Sequence, residues 1–163
     1  MSATAPDRLR FRHVLDQADP PRIRALIEGT GLFSAEEAAA AARLAETTLD
    51  GTETYRWLIA EAGGELAGYT CFDRSSLSKV AFDLYWIAVS QVHRGHGLGL
   101  NLMDRTARFI KAKRGTQIYA EISSREPYAA ARAFYAKAGF REAARFADFY
   151  ESGDDKLIFR LDL

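Results

Sequence analysis

The residues with the clearest chemical meaning form a glycine-rich run between positions 94 and 99. The run reads Arg94-Gly95-His96-Gly97-Leu98-Gly99 and lies between an apolar, strand-like stretch and a stretch with helical periodicity. A helix start offers unpaired backbone N–H groups and the positive end of the helix dipole, and glycine lets an anion approach that backbone closely. We therefore expect the segment 83–104 to bind a pyrophosphate.

Two other phosphate-binding motifs contain similar glycines. A P-loop requires Gly-Lys-Ser/Thr, whereas Gly99 is followed by Leu100 and Asn101, which excludes that motif. The dinucleotide fingerprint requires glycine or alanine at position 100 or 102, and both are leucine. Glu121, about twenty residues further on, keeps a nicotinamide-dependent enzyme as an alternative. A tight turn without any ligand is the third interpretation.

Composition narrows the class of protein. The 163 residues are enough for one compact domain, predicted to span 1–163, and 48% hydrophobic with 27% charged residues is typical of a globular fold. The 22 basic and 22 acidic side chains cancel, which argues against nucleic-acid and membrane partners. With one cysteine, Cys71, and no apolar run long enough for a signal peptide or membrane span, we predict a soluble, cytoplasmic protein.

Hydrophobic periodicity and turn signals predict a mixed α/β chain. The predicted strands span residues 9–15, 55–62, 65–73, 81–89, 116–123, 145–150 and 156–161. The predicted helices span residues 19–29, 35–48, 98–114 and 128–138. Gly63-Gly64 indicates a hairpin turn, and Ser34 followed by Glu37 indicates a capping box. Residues 152–155 are predicted to form the last turn.

Two motifs together resemble the GNAT superfamily of acetyl-CoA-dependent N-acetyltransferases. Arg94-x-x-Gly97-x-Gly99 matches its signature after the fourth strand, and Phe134-Tyr135 followed by Gly139-Phe140 matches its later helix end. The order of elements agrees over nearly the whole chain. The resemblance implies a central mixed, mostly antiparallel sheet flanked by helices, with splayed fourth and fifth strands. It also implies acetyl-CoA as co-substrate and an amine acceptor, and homodimers are common in the family. His13 and His93 have no partner at metal-ligand spacing, so we expect no metal.

The same resemblance assigns the coenzyme contacts. The backbone of Ile87-Ala88-Val89 would bind the pantetheine arm, with the Val89 N–H facing the thioester oxygen, and residues 94–99 would hold the pyrophosphate. Many family members have an asparagine where this chain has Tyr128. Tyr128 itself or nearby side chains such as Ser123, Ser124 and Arg132 would then supply that contact, although an exposed arginine is the commoner outcome.

Three residues are candidates for catalysis. Tyr135 aligns with the family's general acid, which gives a proton to the leaving thiolate, although a simply packed aromatic is the alternative. Asp83 lies six residues before Val89, at a position where some family members have a glutamate that acts as the general base. Glu121 on the next strand is an equal candidate for the general base. A solvated or salt-bridged carboxylate is the structural alternative for both. Acidic and aromatic residues at 148–150 and 153–155 would receive a cationic amine or form a solvated turn.

The sequence therefore predicts direct acetyl transfer from acetyl-CoA to a primary amine on a small molecule, peptide or protein. Direct attack is favoured because no cysteine with a clear base partner is present. The alternatives are a non-catalytic acyl-CoA-binding or sensing module and, less in keeping with the glycine spacing, the nicotinamide-dependent enzyme.

Overall fold

The computed structural model describes residues 8–163. Its strands are β1 (Arg10–Arg12), β2 (Arg56–Ala62), β3 (Glu65–Arg74), β4 (Ala81–Val89), β5 (Gln117–Ser123), β6 (Arg141–Glu151) and β7 (Asp154–Asp162). Its helices are α1 (Asp19–Gly29), α2 (Ala35–Leu49), α3 (Leu98–Ala112) and α4 (Ala129–Lys137), with short 3₁₀ turns at Gln91–His93 and Glu126–Tyr128. Within residues 8–163, no helix combines the length and apolar character needed to cross a membrane.

The strands form one seven-stranded sheet in the order β1-β2-β3-β4-β5-β7-β6. β4 and β5 pair in parallel, whereas β1–β2, β5–β7 and β6–β7 pair antiparallel. This mixed, mostly antiparallel sheet confirms the predicted fold class. It is not the parallel, doubly wound sheet that the nicotinamide-dependent alternative requires.

Two compact units contribute residues to this fold. Unit 1 comprises residues up to 71 together with 86–102, and unit 2 comprises 72–85 together with 103–163. Strands β3 and β4 and helix α3 each contribute residues to both units. The single domain expected from the sequence stays a prediction.

Unit 1 buries the small face of α2 against α1 and the strands. Ala38, Ala41 and Ala45 are fully buried, and their helical spacing lets Ile23 and Ile27 of α1 pack closely. The predicted capping box is present, because Ser34 and Glu37 exchange side-chain-to-backbone hydrogen bonds. The predicted hairpin turn is confirmed as well, since Gly63 and Gly64 have φ of 59° and 84°. In unit 1, the alanines of α2, its capping box and the Gly63-Gly64 turn are thus explained by residues that are close in the sequence.

Unit 2 places an aromatic cluster against β7. The Tyr135 ring lies 5.2 Å from Phe140 and 5.8 Å from Phe159 between centroids. β6 is the edge strand, and it begins four residues earlier than expected, at Arg141. The first residues of β6 are charged or alanine and show no alternation of apolar and polar side chains, so the pattern did not predict a strand there. Backbone pairing with β7 stabilises this part of the strand instead. The predicted turn is shorter too, because β7 already begins at Asp154.

Candidate active site

The glycine-rich turn forms an open helix start in unit 1. Gly95 and Gly97 have φ of 75° and 80°, in the left-handed region that other residues rarely adopt. A Cβ at either position would meet no atom within 4 Å, so open space lies beside the backbone. The Gly97 carbonyl accepts the first helical hydrogen bond, from the Asn101 N–H at 3.0 Å. The following N–H groups therefore lack intrahelical partners and are available to an anion.

The electrostatics of this turn favour a negative ligand. Helix α3 has 15 residues and no acidic side chain in its first turn, so the positive end of its dipole is not neutralised locally. Arg94 is exposed and extended, and its Nε donates to the Val89 carbonyl at 3.3 Å. His96 is exposed, and Leu98 is buried beneath the turn at 4% exposure. A pyrophosphate would accordingly meet backbone N–H groups and the Arg94 guanidinium.

The end of β4 is fixed by its neighbours in unit 1. The Ser90 N–H donates to the Ala67 carbonyl at 2.8 Å, and the Ser90 hydroxyl shares a hydrogen bond of 2.7 Å with His93 Nδ1. Ile87 and Val89 pack against the cluster that contains Leu98 and Leu102, whereas Ala88 belongs to the core beside α1 and α2. The side chains of residues 87–89 are thus structural, which leaves their backbone for the predicted pantetheine contacts.

Gly68 of β3 is a residue that sequence reasoning missed. A Cβ there would lie 2.8 Å from the Ala88 carbonyl oxygen and 3.0 Å from Leu102 Cδ1. Only glycine therefore permits β3 to approach both the end of β4 and the first turns of α3 this closely. The available signal was an isolated glycine inside a strand pattern, which often marks close backbone approach.

In unit 2, the parallel strands β4 and β5 separate and open a cavity. Their pairing runs from Ala81 opposite Gln117 to Asp83 opposite Tyr119 and then stops, although both strands continue. A cavity of about 390 Å³ lies at this point. Its lining consists of Asp83, Leu84, Tyr85, Tyr119, Glu121 and Ile158. The structure therefore brings both predicted carboxylates to one cavity and confirms the splayed strands.

Asp83 lies in surroundings that raise the pKa of its carboxyl group. Burial raises the pKa of its carboxyl above the ordinary value, and the nearby charges of Glu121 and Asp73 raise it further. The Ser75 hydroxyl near Asp83 opposes the shift. The Ser75 oxygen is buried and has no hydrogen-bond partner within residues 8–163. Burial outweighs the opposing effect of this hydroxyl, so the pKa of Asp83 is raised. A carboxylate with a raised pKa in a cavity is suited to accept a proton.

Glu121 differs from Asp83 in its partner. Its Oε1 lies 3.1 Å from Lys156 Nζ, and its side chain is 60% exposed. Its carboxylate is therefore exposed to water and already occupied by a cation, as in an ordinary surface ion pair. Of the two acids, Asp83 is the better candidate for a base.

Tyr135 is buried among aromatic rings in unit 2. It is 8% exposed, and its burial raises the pKa of the phenol to about 12. The phenol stays protonated at neutral pH and can donate a hydrogen bond. A full proton transfer to a thiolate would run uphill, because the pKa of an ordinary thiol is about 8.5.

The remaining predicted coenzyme contacts lie near the start of α4. Tyr128 is partly exposed and occupies the N-cap position of α4. Arg132 Nη1 donates to the Ser123 and Arg125 carbonyls at 2.9 and 2.7 Å, so its guanidinium organises the loop after β5. The Ser123 hydroxyl donates to Asp154, and the Ser124 hydroxyl accepts from the Asp155 N–H at 2.8 Å. These polar groups already have structural partners.

The aspartates near the carboxyl end accept hydrogen bonds from within the chain, which favours the structural turn over a site for a cationic amine. Asp148 Oδ1 accepts from the Gly153 N–H at 2.7 Å, and Asp155 accepts from the Asp148 N–H and from Arg145. Asp154 is buried against Ser123. Their carboxylates brace the β6–β7 hairpin through partners that local sequence patterns do not indicate. Across the described residues 8–163, no three His, Cys, Asp or Glu side chains converge as a metal site.

Comparison with known proteins agrees with this geometry. The acetyltransferase (GNAT) domain profile matches residues 53–142. A solved structure from Desulfovibrio desulfuricans, assigned to the GNAT family of acetyltransferases, is 34% identical over 95% of this chain and 99% of that chain, with a TM-score of 0.93. No curated protein matches the sequence at a significant level.

More distant structures share the fold. The ribosomal-protein-S18-alanine N-acetyltransferase of Escherichia coli is 19% identical over 95% of this chain and 94% of its own, with a TM-score of 0.72. A Salmonella typhimurium structure assigned as an acetyltransferase, solved with its cofactor acetyl-CoA, is 19% identical over 96% of this chain and 94% of its own, with a TM-score of 0.69. Given the domain match over more than half of its length and the 34% identical relative, this chain belongs to the GNAT family of acetyltransferases.

Proposed function

We propose that this acetyltransferase transfers acetyl from acetyl-CoA to a primary amine by direct attack. The observation that carries the proposal is the open start of α3, where Gly97 has φ of 80° and nothing lies within 4 Å of its Cβ position. In a chain of this family, that arrangement suits the pyrophosphate of the coenzyme. The solved Salmonella relative, which contains acetyl-CoA, supports the choice of coenzyme.

The proposed reaction forms one C–N bond and breaks one C–S bond. The neutral amine nitrogen attacks the thioester carbon, and backbone N–H groups stabilise the oxyanion, with the Val89 N–H as the proposed donor. Collapse of the tetrahedral intermediate expels the thiolate of coenzyme A and leaves an N-substituted acetamide. Starting from the neutral amine, the nitrogen gives up one proton to solvent and the thiolate takes up one from solvent, so the products are the amide and free coenzyme A.

Asp83 is the proposed acceptor of the amine proton. An amine arrives mainly as an ammonium ion at neutral pH, because an unperturbed alkylammonium has a pKa of about 10.4. The half-buried carboxylate attracts that cation, takes up its extra proton before the neutral amine attacks, and then passes that proton to solvent. The raised pKa of Asp83 brings it closer to the pKa of the ammonium ion, which eases this transfer. Glu121 is proposed to assist through its charge while it remains paired with Lys156.

Tyr135 is proposed as the hydrogen-bond donor to the departing sulfur. Its phenol carries its proton throughout the physiological range, because burial raises the pKa to about 12. Tyr128 and Arg132 are proposed to contact the coenzyme near α4, in addition to their structural contacts. The cytoplasmic location and the homodimer also stay predictions.

The test measures binding and chemistry separately. Calorimetric titration with acetyl-CoA reports the coenzyme site, and release of free thiol with a panel of primary amines, checked by mass spectrometry of the acetylated amine, reports transfer. We expect micromolar binding, about −8 kcal/mol, and amine-dependent thiol release. Binding without release for any amine would favour the acyl-CoA-sensing alternative. A folded protein that shows no binding would refute both.

A further inference from the structure

Strand β6 contains a large bulge opposite β7. Phe146 pairs with Lys156 and Glu151 pairs with Asp154, so residues 147–150 lie opposite Asp155 alone. The bulge therefore contains three more residues than its partner strand, which exceeds the single extra residue of an ordinary β-bulge. Such irregularities re-aim side chains and are common beside active sites.

Specific contacts hold this bulge in place. Asp148 has a φ of 52°, a left-handed conformation that is uncommon for a residue other than glycine. Its N–H donates to Asp155 Oδ1 at 3.0 Å, and its own Oδ1 accepts from the Gly153 N–H at 2.7 Å. Arg145 Nη1 donates to the other Asp155 oxygen at 2.9 Å. The strained backbone is thus fixed from several sides, as is typical of functional segments.

The braced bulge presents aromatic rings to solvent. Phe149 and Tyr150 are 55% and 48% exposed, and their ring centroids lie 5.1 Å apart at an interplanar angle of 86°. Phe146, at the start of the bulge, is 51% exposed and lies 6.5 Å from Phe149. Neighbouring apolar rings exposed on a well-braced segment are typical of a binding surface.

These rings lie beside the carboxylate cavity of unit 2. Lys156 Nζ is 3.1 Å from Glu121, which lines the cavity, and 4.5 Å from the centroid of Phe149. Tyr150 lies near enough to Glu121 for that charge to contribute to the raised pKa of its phenol, after burial. Inside the cavity, Tyr85 and Tyr119 add two further aromatic walls.

We infer that Phe149 and Tyr150 form the outer rim of the acceptor site and select a small primary amine that carries an aromatic group. The inference rests on the proposed function. The amine of such an acceptor enters the cavity that contains Asp83, and its ring packs edge-to-face against the rim. Lys156 occupies one face of Phe149 and disfavours a second cationic group there, which argues against polyamines.

The same geometry argues against a peptide acceptor. An extended peptide adds to a sheet edge by continuous backbone hydrogen bonds, whereas the edge strand β6 is interrupted at residues 147–150. The cavity of about 390 Å³ falls within the range of small-molecule sites.

The experiment compares matched amines in the presence of acetyl-CoA. We choose phenethylamine, n-hexylamine, spermidine and a short peptide with a free N-terminus, and follow thiol release in wild type and in Phe149→Leu and Tyr150→Leu. Leu77→Ala is the control, because Leu77 is fully exposed in the β3–β4 loop and outside the site. We expect phenethylamine to be the acceptor with the highest kcat/KM. Each rim variant should raise the Michaelis constant for phenethylamine about five- to tenfold, with a smaller effect on n-hexylamine.

The outcomes separate this inference from the proposed function. If n-hexylamine, spermidine or the peptide is acetylated as well as phenethylamine, or if the rim variants leave the Michaelis constant for phenethylamine unchanged, the rim assignment is wrong and acetyl transfer stands. If no amine releases thiol, the proposed function fails and the inference fails with it. Sedimentation of each variant without amine is the second readout, and a dimer that Phe149→Leu dissociates would show that the rings form a subunit interface instead.

Discussion

The glycine-rich turn of unit 1, residues 94–99, and the cavity of unit 2 that contains Asp83 and Glu121 are built from different parts of the chain, the first from backbone and the second from side chains. The turn uses main-chain N–H groups, and its two left-handed glycines, Gly95 and Gly97, leave the surrounding space open. The cavity is lined by side chains of β4, β5 and β7. It opens where the pairing of β4 with β5 ends after Asp83. An invariant phosphate can be bound mainly by backbone N–H groups with one guanidinium beside them, whereas selection and deprotonation of an amine require side chains.

This difference predicts that mutations in the two regions have separable effects. Changes in the turn should weaken coenzyme binding, and changes in the cavity should slow the chemical step. A substitution in either region should therefore move one of these quantities more than the other.

The largest expected effect is on the chemical step in Asp83→Asn. Loss of the proposed base should lower kcat about 100-fold or more, since general base catalysis is worth roughly 10²–10⁴. In wild type, activity should rise with pH through the raised pKa of Asp83, and that acidic limb should disappear in the variant. Steady-state pH profiles measure both. Glu121→Gln is the control, and an equal loss of kcat there would contradict the assignment of Asp83.

The same substitution should stabilise the fold at neutral pH. Because burial raises the pKa of Asp83, the folded state disfavours its carboxylate, and this penalty is fully present above the folded-state pKa. The penalty fades as the pH falls and is absent below the unfolded pKa of about 3.9. Chemical denaturation of Asp83→Asn should therefore show a stability gain near pH 7 that shrinks towards pH 4. A loss of stability at neutral pH would show that the carboxylate is stabilising.

The next effect is on coenzyme affinity in Gly97→Ala. Gly51 provides a matched control, because it has φ of 79° against 80° for Gly97, and neither has an atom within 4 Å of its Cβ position. Alanine at either site should cost about 1–2 kcal/mol of stability from the left-handed backbone. Only Gly97→Ala should weaken acetyl-CoA binding, by about tenfold. Calorimetry and denaturation distinguish the two, and equal affinities would remove the turn from the coenzyme site.

The smallest effect is expected for Tyr135→Phe. The ring contacts with Phe140 and Phe159 remain, so stability should change little. Loss of one hydrogen bond to the departing sulfur is worth about 0.5–1.5 kcal/mol, which lowers kcat roughly two- to tenfold. Single-turnover thiol release measures it. A drop of several hundredfold would indicate full proton transfer by a phenol whose pKa falls from about 12 on coenzyme binding.

Local signals account for what the sequence could predict. The bounds of β4, the Gly63-Gly64 hairpin, the capping box of α2 and the turn at 94–99 all depend on residues adjacent in the chain, and the structure confirms them. The bulge of β6 was not predictable, because Asp148 takes its left-handed conformation through contacts with Gly153 and Asp155.

The contents of the cavity were predictable only in part. Asp83 and Glu121 were candidates from position and resemblance, but their different environments depend on burial and on Lys156, thirty-five residues beyond Glu121 in the chain. Gly68 gave a weak signal that acquires meaning only beside the Ala88 carbonyl. Contacts between residues far apart in the chain determine these features, and local sequence patterns do not reveal such contacts.

The most direct test is one paired measurement of acetyl-CoA affinity and kcat in Asp83→Asn and Gly97→Ala. We predict that Asp83→Asn retains wild-type affinity while kcat falls about 100-fold. Gly97→Ala should lose about tenfold in affinity, with a much smaller change in kcat at saturating coenzyme. The reverse pattern, with affinity lost in Asp83→Asn and kcat lost in Gly97→Ala, would contradict the division between a backbone site for the coenzyme and a carboxylate cavity for the amine.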